Sequence, residues 1–230
     1  MENTTFHLHS YFRSSCSCRV RTAAAIKGIP LTYTYIHLLQ NDQQGDEYTA
    51  INPSRTVPTL TVTHKKPNGE AEEVRVRQSV AMLEFFEELY PDRTPLLPPR
   101  EDAAGRARVR DLVNVIACDV QPLTNLRVLR RIRQMGSDAD AWAREFTTLG
   151  LGSFEQLAKG SAGKYSYGDQ LTLADVVLAP AVESAIRFKV DMDQFPTVNA
   201  VYRSIRVLEP FKQADWKHQQ DTPDEFRPNT

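Results

Sequence analysis

Cysteine is scarce in this chain, with three in 230 residues. So few thiols, and an odd number of them, do not make a disulfide framework, and a reduced, cytoplasmic setting is expected. Long apolar runs are missing too, and none approaches the ~20 residues that a membrane-spanning helix needs. The opening Met1-Glu2-Asn3-Thr4-Thr5 lacks the apolar core of a secretion signal, and the closing Arg227-Pro228-Asn229-Thr230 carries no lipidation pattern. Neither sign of charge dominates. The formal net charge of -1 gives no electrostatic reason to expect nucleic acid or an anionic membrane as a partner. Internal repeats are absent. What is present, 41% apolar and 25% charged residues, is ordinary for a soluble globular chain of one large or two small domains.

Order along the chain is more informative. Thr5-Phe6-His7-Leu8-His9 alternates as a strand does, Val20–Lys27 reads as a helix closed by Gly28, and Leu31–Leu38 alternates again. Strand, helix and strand at this length predict a βαβ unit with parallel strands. A polar stretch from Gln40 to Thr49 predicts a loop, with a short helix near residues 47–52. Two further strand candidates, Val57–Thr63 and Glu73–Arg77, flank Lys66-Pro67-Asn68-Gly69-Glu70. Asn-Gly in that position predicts an antiparallel hairpin with an exposed connection. Gln78-Ser79 then opens a helix over residues 80–90, with Ser79 as its expected N-cap. Four prolines between Pro91 and Pro99 stop regular structure and mark a linker over residues 91–99.

Everything beyond reads as helix: residues 100–129 with a kink at Pro122, 138–159, a capping-box start at Thr172-Leu173-Ala174-Asp175 running towards Phe188, and 196–207. Asp175 is expected to cap its helix. Cys118 is expected in a core, as are Met82, Leu83, Phe86 and Leu89 by their spacing. The tail after Trp216 is expected to run over the surface. The resulting fold class is α/β plus all-α: residues 1–90 with a mixed sheet, the linker 91–99, and an all-helical domain over 100–230.

Chemistry concentrates where the first strand turns into the first helix. Ser14, Ser15 and Cys16 sit at that junction, where a helix presents unpaired N–H groups and a partial positive charge. Hydroxyls placed there can stabilise a thiolate or another anion; the plainer alternative is N-capping alone. Arg13, Arg19 and Arg21 form a basic cluster in sequence that could attract anions, or else be a solvated helix face or an ion-pair network. Gln121 and Asn125 stand four apart and share a helical face. Cys16 and Cys18 have no Cys or His cluster nearby to complete a metal site.

Ser14-Ser15-Cys16-Ser17-Cys18-Arg19-Val20-Arg21 resembles the signature of the zeta-class glutathione transferases, the maleylacetoacetate isomerases, with Cys18 where that signature has Trp. Asn52-Pro53, Val57-Pro58-Thr59-Leu60, Gln78-Ser79, Gln121–Leu126, Gly168–Asp175 and Arg187–Asp191 extend the resemblance in order. The hairpin connection from His64 to Glu72 is longer than the family's. The resemblance implies a thioredoxin-like domain with a mixed four-stranded sheet, then a helical bundle, a homodimer, and glutathione as cofactor. It implies cis–trans isomerisation of maleylacetoacetate in phenylalanine and tyrosine breakdown, with side activity on small α-haloacids.

For the site, it implies Ser14, Ser15 and Cys16 at the reacting thiol, and a cis peptide at Val57-Pro58. Glutathione would further meet Gln43 or its neighbour Gln44, the Val57 backbone, Gln78, Ser79, Gln121 and Asn125. Arg187, with Arg13 and Arg19 from the basic cluster, would meet substrate carboxylates, since an Arg grips a carboxylate through two hydrogen bonds. Lowering a thiol pKa by about two units takes roughly 2.7 kcal/mol. One hydroxyl bond to a charged acceptor, about 1.5–3 kcal/mol, nearly suffices, and a helix N-terminus adds roughly 0.3–1 kcal/mol. Two alternatives stand beside this reading: an isomerase or transferase for another small acid such as maleylpyruvate, and a non-catalytic assembly module on the same fold.

Overall fold

The computed structural model describes residues 3–228. Met1, Glu2, Asn229 and Thr230, on which the secretion and lipidation readings partly rest, lie outside the described residues. The chain forms two compact units. One comprises residues up to Thr94 together with those from Glu209 onward; the other is Pro95–Leu208.

The first unit is built on a four-stranded sheet: β1 (Thr4–Ser10), β2 (Thr32–Tyr35), β3 (Thr59–Lys65) and β4 (Ala71–Val76), in the order β2-β1-β3-β4. β1 pairs with β2 in parallel, His7 opposite Thr32, and with β3 antiparallel, Leu8 opposite Leu60. β4 returns antiparallel to β3, Val62 opposite Val74. Alternation buries Phe6 and Leu8 of β1 alongside Leu60 and Val62 of β3. The hairpin turns through Gly69 at φ 86, a left-handed conformation that glycine adopts freely, and its connection is exposed. β2 is shorter than its alternation suggests. The backbone leaves the sheet at His37, whose N–H donates to Asp42 Oδ2 at 2.8 Å.

Helix α1 (Ser15–Lys27) ends at Gly28, whose φ of 63 lets its N–H close on the carbonyls of Ala24 and Ala25. A short α2 (Asp46–Ile51) precedes β3, and α3 (Ser79–Leu89) follows β4. α3 buries Met82, Leu83 and Phe86, with Phe86 edge-on to Phe6 at 6.0 Å between ring centres. Lys27 is buried. Its ammonium pairs with Glu87 at 2.7 Å and donates to the carbonyls of Tyr90 and Arg93, tying α1 to the end of α3.

The C-terminal residues, expected with the helical domain, instead complete the first unit; after Trp216 all the described residues but Thr222 are at least partly exposed, as the polar tail predicts. α9 (Glu209–Ala214; α4–α8 belong to the second unit, below) packs against α1. Its last carbonyl, Ala214 O, accepts from Arg21 Nε at 3.2 Å and Nη2 at 3.1 Å.

The second unit holds α4 (Ala103–Asn114), α5 (Leu126–Gln134), α6 (Ala139–Ala158), α7 (Leu173–Arg187) and α8 (Pro196–Ile205). The expected single helix over 100–129 is two. α4 loosens into a π turn over Val115–Val120, and the chain then turns through residues 121–125. Pro122 has no N–H to continue the ladder, and the Asn125 side chain accepts from Arg127 N at 3.0 Å to start a fresh helix. In this irregular stretch Cys118 is exposed rather than in the core.

α7 is buried along most of its length and carries the expected capping box of Thr172 and Asp175. Burial pushes the Asp175 carboxyl up, while hydrogen bonds from the N–H groups of Ser166 and Thr172 oppose it. The linker divides: Leu96 and Leu97 belong to this unit's core, and Leu96 O accepts from Leu173 N at 2.8 Å. Among the described residues no helix is long and apolar enough to cross a membrane.

Candidate active site

β1 delivers the chain through Tyr11, Phe12 and Arg13 to Ser14, the N-cap of α1. Ser14 N donates to Tyr11 O at 3.0 Å, which makes a tight turn, and Ser14 Oγ accepts from Ser17 N at 3.1 Å. A hydroxyl has one hydrogen to donate as well as lone pairs to accept. Capping therefore leaves the Ser14 O–H hydrogen available to an incoming anion, so cap and anion donor are not exclusive roles. Ser15 and Cys16 follow as the first two helical residues, both partly exposed, in the turn where backbone N–H groups lack intrahelical partners.

A second edge of the site is the turn before β3, where Val57-Pro58 is cis. Buried Asn52 and Tyr48 pin it. Tyr48 Oη donates to Thr56 O at 2.6 Å, and Asn52 Nδ2 donates to Thr56 O and Thr59 Oγ1 at 2.8 and 3.0 Å. Burial pushes the Tyr48 hydroxyl pKa up, so it remains a donor. Val57, Tyr48, Ile36, Tyr11 and Phe12 form one apolar cluster, bordered by Leu38 and Trp216. That cluster joins the Val57 turn to the residues that lead into Ser14.

The third edge is the start of α3. Gln78, not Ser79, occupies the cap position, and it is exposed; Ser79 is the first helical residue and is buried. Ser79 Oγ accepts from Arg19 Nη1 at 3.2 Å. Arg19 is 2% exposed, and its Nε has no hydrogen-bond partner. A buried guanidinium behind a helix N-terminus makes that end of α3 suited to a carboxylate.

Arg19 was expected at the substrate and lies inside the protein instead. Arg19, Ala23 and Lys27 recur every four residues and all are buried, so the helical period carried this signal despite the charge. Arg21 is buried as well, and the basic cluster suggested by sequence does not form on the surface. Arg13 is partly exposed, its guanidinium carbon 5.7 Å from the Phe12 ring centre and 5.9 Å from that of Phe226. Gln43 is buried with Oε1 unpartnered, whereas Gln44 is exposed and accepts from Arg55 at 3.2 Å. Cys18, at the family's Trp position, directs its thiol to Ala214 O at 3.4 Å.

Three expected site residues belong to the second unit. Gln121 ends the π turn. Asn125 is not on a continuous helical face with it, because its side chain caps α5. Arg187 ends α7, exposed, with its guanidinium 4.6 Å from the Phe188 ring centre.

Comparison with known proteins agrees with this fold. The glutathione S-transferase N-terminal domain family matches residues 13–89, and the C-terminal domain family matches residues 134–213. A maleylacetoacetate isomerase of Emericella nidulans is 44% identical, covering 96% of this chain and 95% of its own. The chain belongs to the zeta-class glutathione transferases, the maleylacetoacetate isomerase family.

Within this zeta-class family, a maleylpyruvate isomerase of Ralstonia sp is 38% identical, covering 90% of this chain and 95% of its own. The solved maleylacetoacetate isomerase of Anaeromyxobacter dehalogenans, with glutathione bound in its active site, superposes with a TM-score of 0.85 at 38% identity. It covers 96% of this chain and 99% of that one. The zeta-class chain described here is accordingly a glutathione-dependent isomerase with glutathione as cofactor and a small molecule as substrate. The donor set fits that cofactor: a free hydroxyl hydrogen at the α1 N-terminus suits a thiolate, and Ser79 backed by Arg19 suits a carboxylate.

Proposed function

We propose that this enzyme converts maleylacetoacetate to fumarylacetoacetate, the cis–trans step of phenylalanine and tyrosine breakdown, with transferase activity on small α-haloacids. The observation that carries it is the Ser14 cap of α1: its oxygen accepts from Ser17 N, so its hydrogen can go to the cofactor's sulfur. When bound, glutathione supplies a thiolate that can add reversibly to an activated alkene and so permit rotation about a carbon–carbon bond.

The chain's own residues make that sulfur anionic and hold the reactants. Ser14 donates to it, with the first-turn N–H groups of α1 behind; Ser15 and Cys16 line the same turn. The Val57 backbone pairs with the cysteinyl part, and Gln78 and Ser79 hold the γ-glutamyl end, with Arg19 as the charge beneath Ser79. Gln43 or Gln44 serves the glycyl end. From the second unit, Gln121 and Asn125 approach glutathione and Arg187 takes a substrate carboxylate, while Arg13 adds positive charge near the thiol. The first unit is thus the glutathione-binding domain and the helical unit supplies substrate contacts. The enzyme works as a homodimer in the cytoplasm, a setting that suits its free thiols.

The Ralstonia relative favours one second reading, maleylpyruvate as the substrate. Purified enzyme given each cis acid separates the two. Faster turnover of maleylacetoacetate with trace glutathione, and none without it, supports the first reading. Exclusive turnover of maleylpyruvate supports the second, and net consumption of glutathione would mark conjugation instead of isomerisation.

A further inference from the structure

Residues 214–226 reach back to the three residues that precede Ser14. Phe12 N–H donates to Asp221 Oδ2 at 2.7 Å. Phe12 C=O accepts from Arg21 Nη2 at 3.1 Å, and the same guanidinium holds Ser10 Oγ and Ala214 O. Both backbone polar groups of Phe12 are therefore satisfied by side chains, one from α1 and one in the tail. The Phe226 ring lies nearly parallel to that of Phe12, 22° between planes and 6.3 Å between centres, and Trp216 packs on both. The Arg13 guanidinium sits within about 6 Å of both the Phe12 and Phe226 rings.

The tail is itself closed into a loop by its own hydrogen bonds. Thr222 is buried, its hydroxyl donates to Trp216 O at 2.5 Å, and its carbonyl accepts from Arg227 Nε at 3.0 Å. Asp221 keeps its second oxygen, Oδ1, buried without a partner. A buried carboxylate oxygen left unmatched is costly, so this geometry is held by the contacts around it.

We propose that this C-terminal strap positions Ser14, with Asp221 and Phe226 as positioning residues that fix the Tyr11–Arg13 segment from which the catalytic hydroxyl is displayed. The proposal rests on the role given to Ser14 above. Ser14 N is bonded to Tyr11 O, so a displacement at Phe12 is passed to the hydroxyl through a turn of two residues. Misplacing a catalytic group by about 1 Å can slow a reaction by roughly a hundredfold.

The test uses full-length Asp221→Ala, Asp221→Asn, Phe226→Ala and Ser14→Ala enzymes. Each is measured for kcat, substrate KM, thermal unfolding, and the pH dependence of the ultraviolet absorbance of bound glutathione thiolate. Asp221→Ala and Phe226→Ala should each lower kcat about tenfold or more and raise the pH at which the bound thiol ionises, with substrate KM little changed. Asp221→Asn retains a carbonyl oxygen for Phe12 N–H and should recover most of the rate. Phe226 is exposed, so its replacement tests the strap even where Asp221→Ala fails to fold. Wild-type kcat and thiol ionisation in folded Asp221→Ala or Phe226→Ala, with Ser14→Ala inactive, would overturn the strap alone. A fully active Ser14→Ala enzyme would overturn the role of Ser14 and the strap with it.

Discussion

Ser14 caps α1 and is the proposed thiolate donor, and substitutions can separate the two roles. Its Oγ accepts from Ser17 N at 3.1 Å as the α1 cap, and its hydrogen is the proposed donor to the glutathione sulfur. Ser14→Ala removes both. Losing the cap costs about 0.5–2 kcal/mol of stability. Losing a hydrogen bond to a charged acceptor costs about 1.5–3 kcal/mol, which raises the thiol pKa by roughly one to two units; starting from a thiol lowered about two units below its free value, that cuts the thiolate near neutral pH by about 3- to 30-fold. Ser14→Asp keeps a capping oxygen, and its charge favours the helix N-terminus, so stability should match or exceed wild type. It has no hydrogen to donate and places a like charge beside the sulfur, so the thiol pKa should rise further than in the alanine variant. Urea unfolding reports the cap, and thiolate absorbance against pH reports the donor. Wild-type thiolate absorbance in Ser14→Asp would refute the reasoning, because no arrangement of a carboxylate there can substitute for the hydroxyl.

Two further outcomes test the first unit. Lys27→Met should destabilise the protein by about 3–5 kcal/mol in urea unfolding, because it removes the buried ammonium that pairs with Glu87 at 2.7 Å and donates to the carbonyls of Tyr90 and Arg93; adding Glu87→Leu should restore part of the loss. A loss below about 1 kcal/mol in Lys27→Met would show that Glu87 finds other solvation. His9 is held below its ordinary pKa of 6.5, first by burial and then by the neighbouring His7 charge. The fold favours neutral His9, so its contribution is complete above 6.5 and is lost as pH falls below that value through the lowered pKa. Wild type should lose stability as pH falls below 6.5, and His9→Phe should lose less; parallel slopes would remove His9 from the acid response.

Patterns that depend on local chemistry were legible in the sequence. Alternation found β1 and β3, Asn68-Gly69 found the hairpin, and Thr172 with Asp175 found the start of α7. What sequence hid was long-range satisfaction of polar groups. Arg19 and Arg21 look like a solvated face until Ser79 and Ala214, distant in sequence, supply their acceptors. Pro122 could either kink a helix or end one. The deciding group was the Asn125 side chain, which starts α5 by bonding to Arg127 N. The polar composition of the tail gave no sign that Asp221 satisfies an N–H more than two hundred residues earlier. Gln78 and Ser79 were located correctly as a pair but displaced by one position at the helix start, a shift that propensity does not resolve.

A compact body assembled from both ends of a polypeptide constrains how that polypeptide is made. The sheet and its first helices leave the ribosome early, yet Arg21 and Phe12 wait for Ala214 and Asp221, which are synthesised after the whole of Pro95–Leu208. At roughly 5–20 residues per second, the nascent N-terminal half spends several seconds with a buried guanidinium and an amide still awaiting their acceptors. Truncation ahead of Ala214 would therefore injure the part of the enzyme that was translated first.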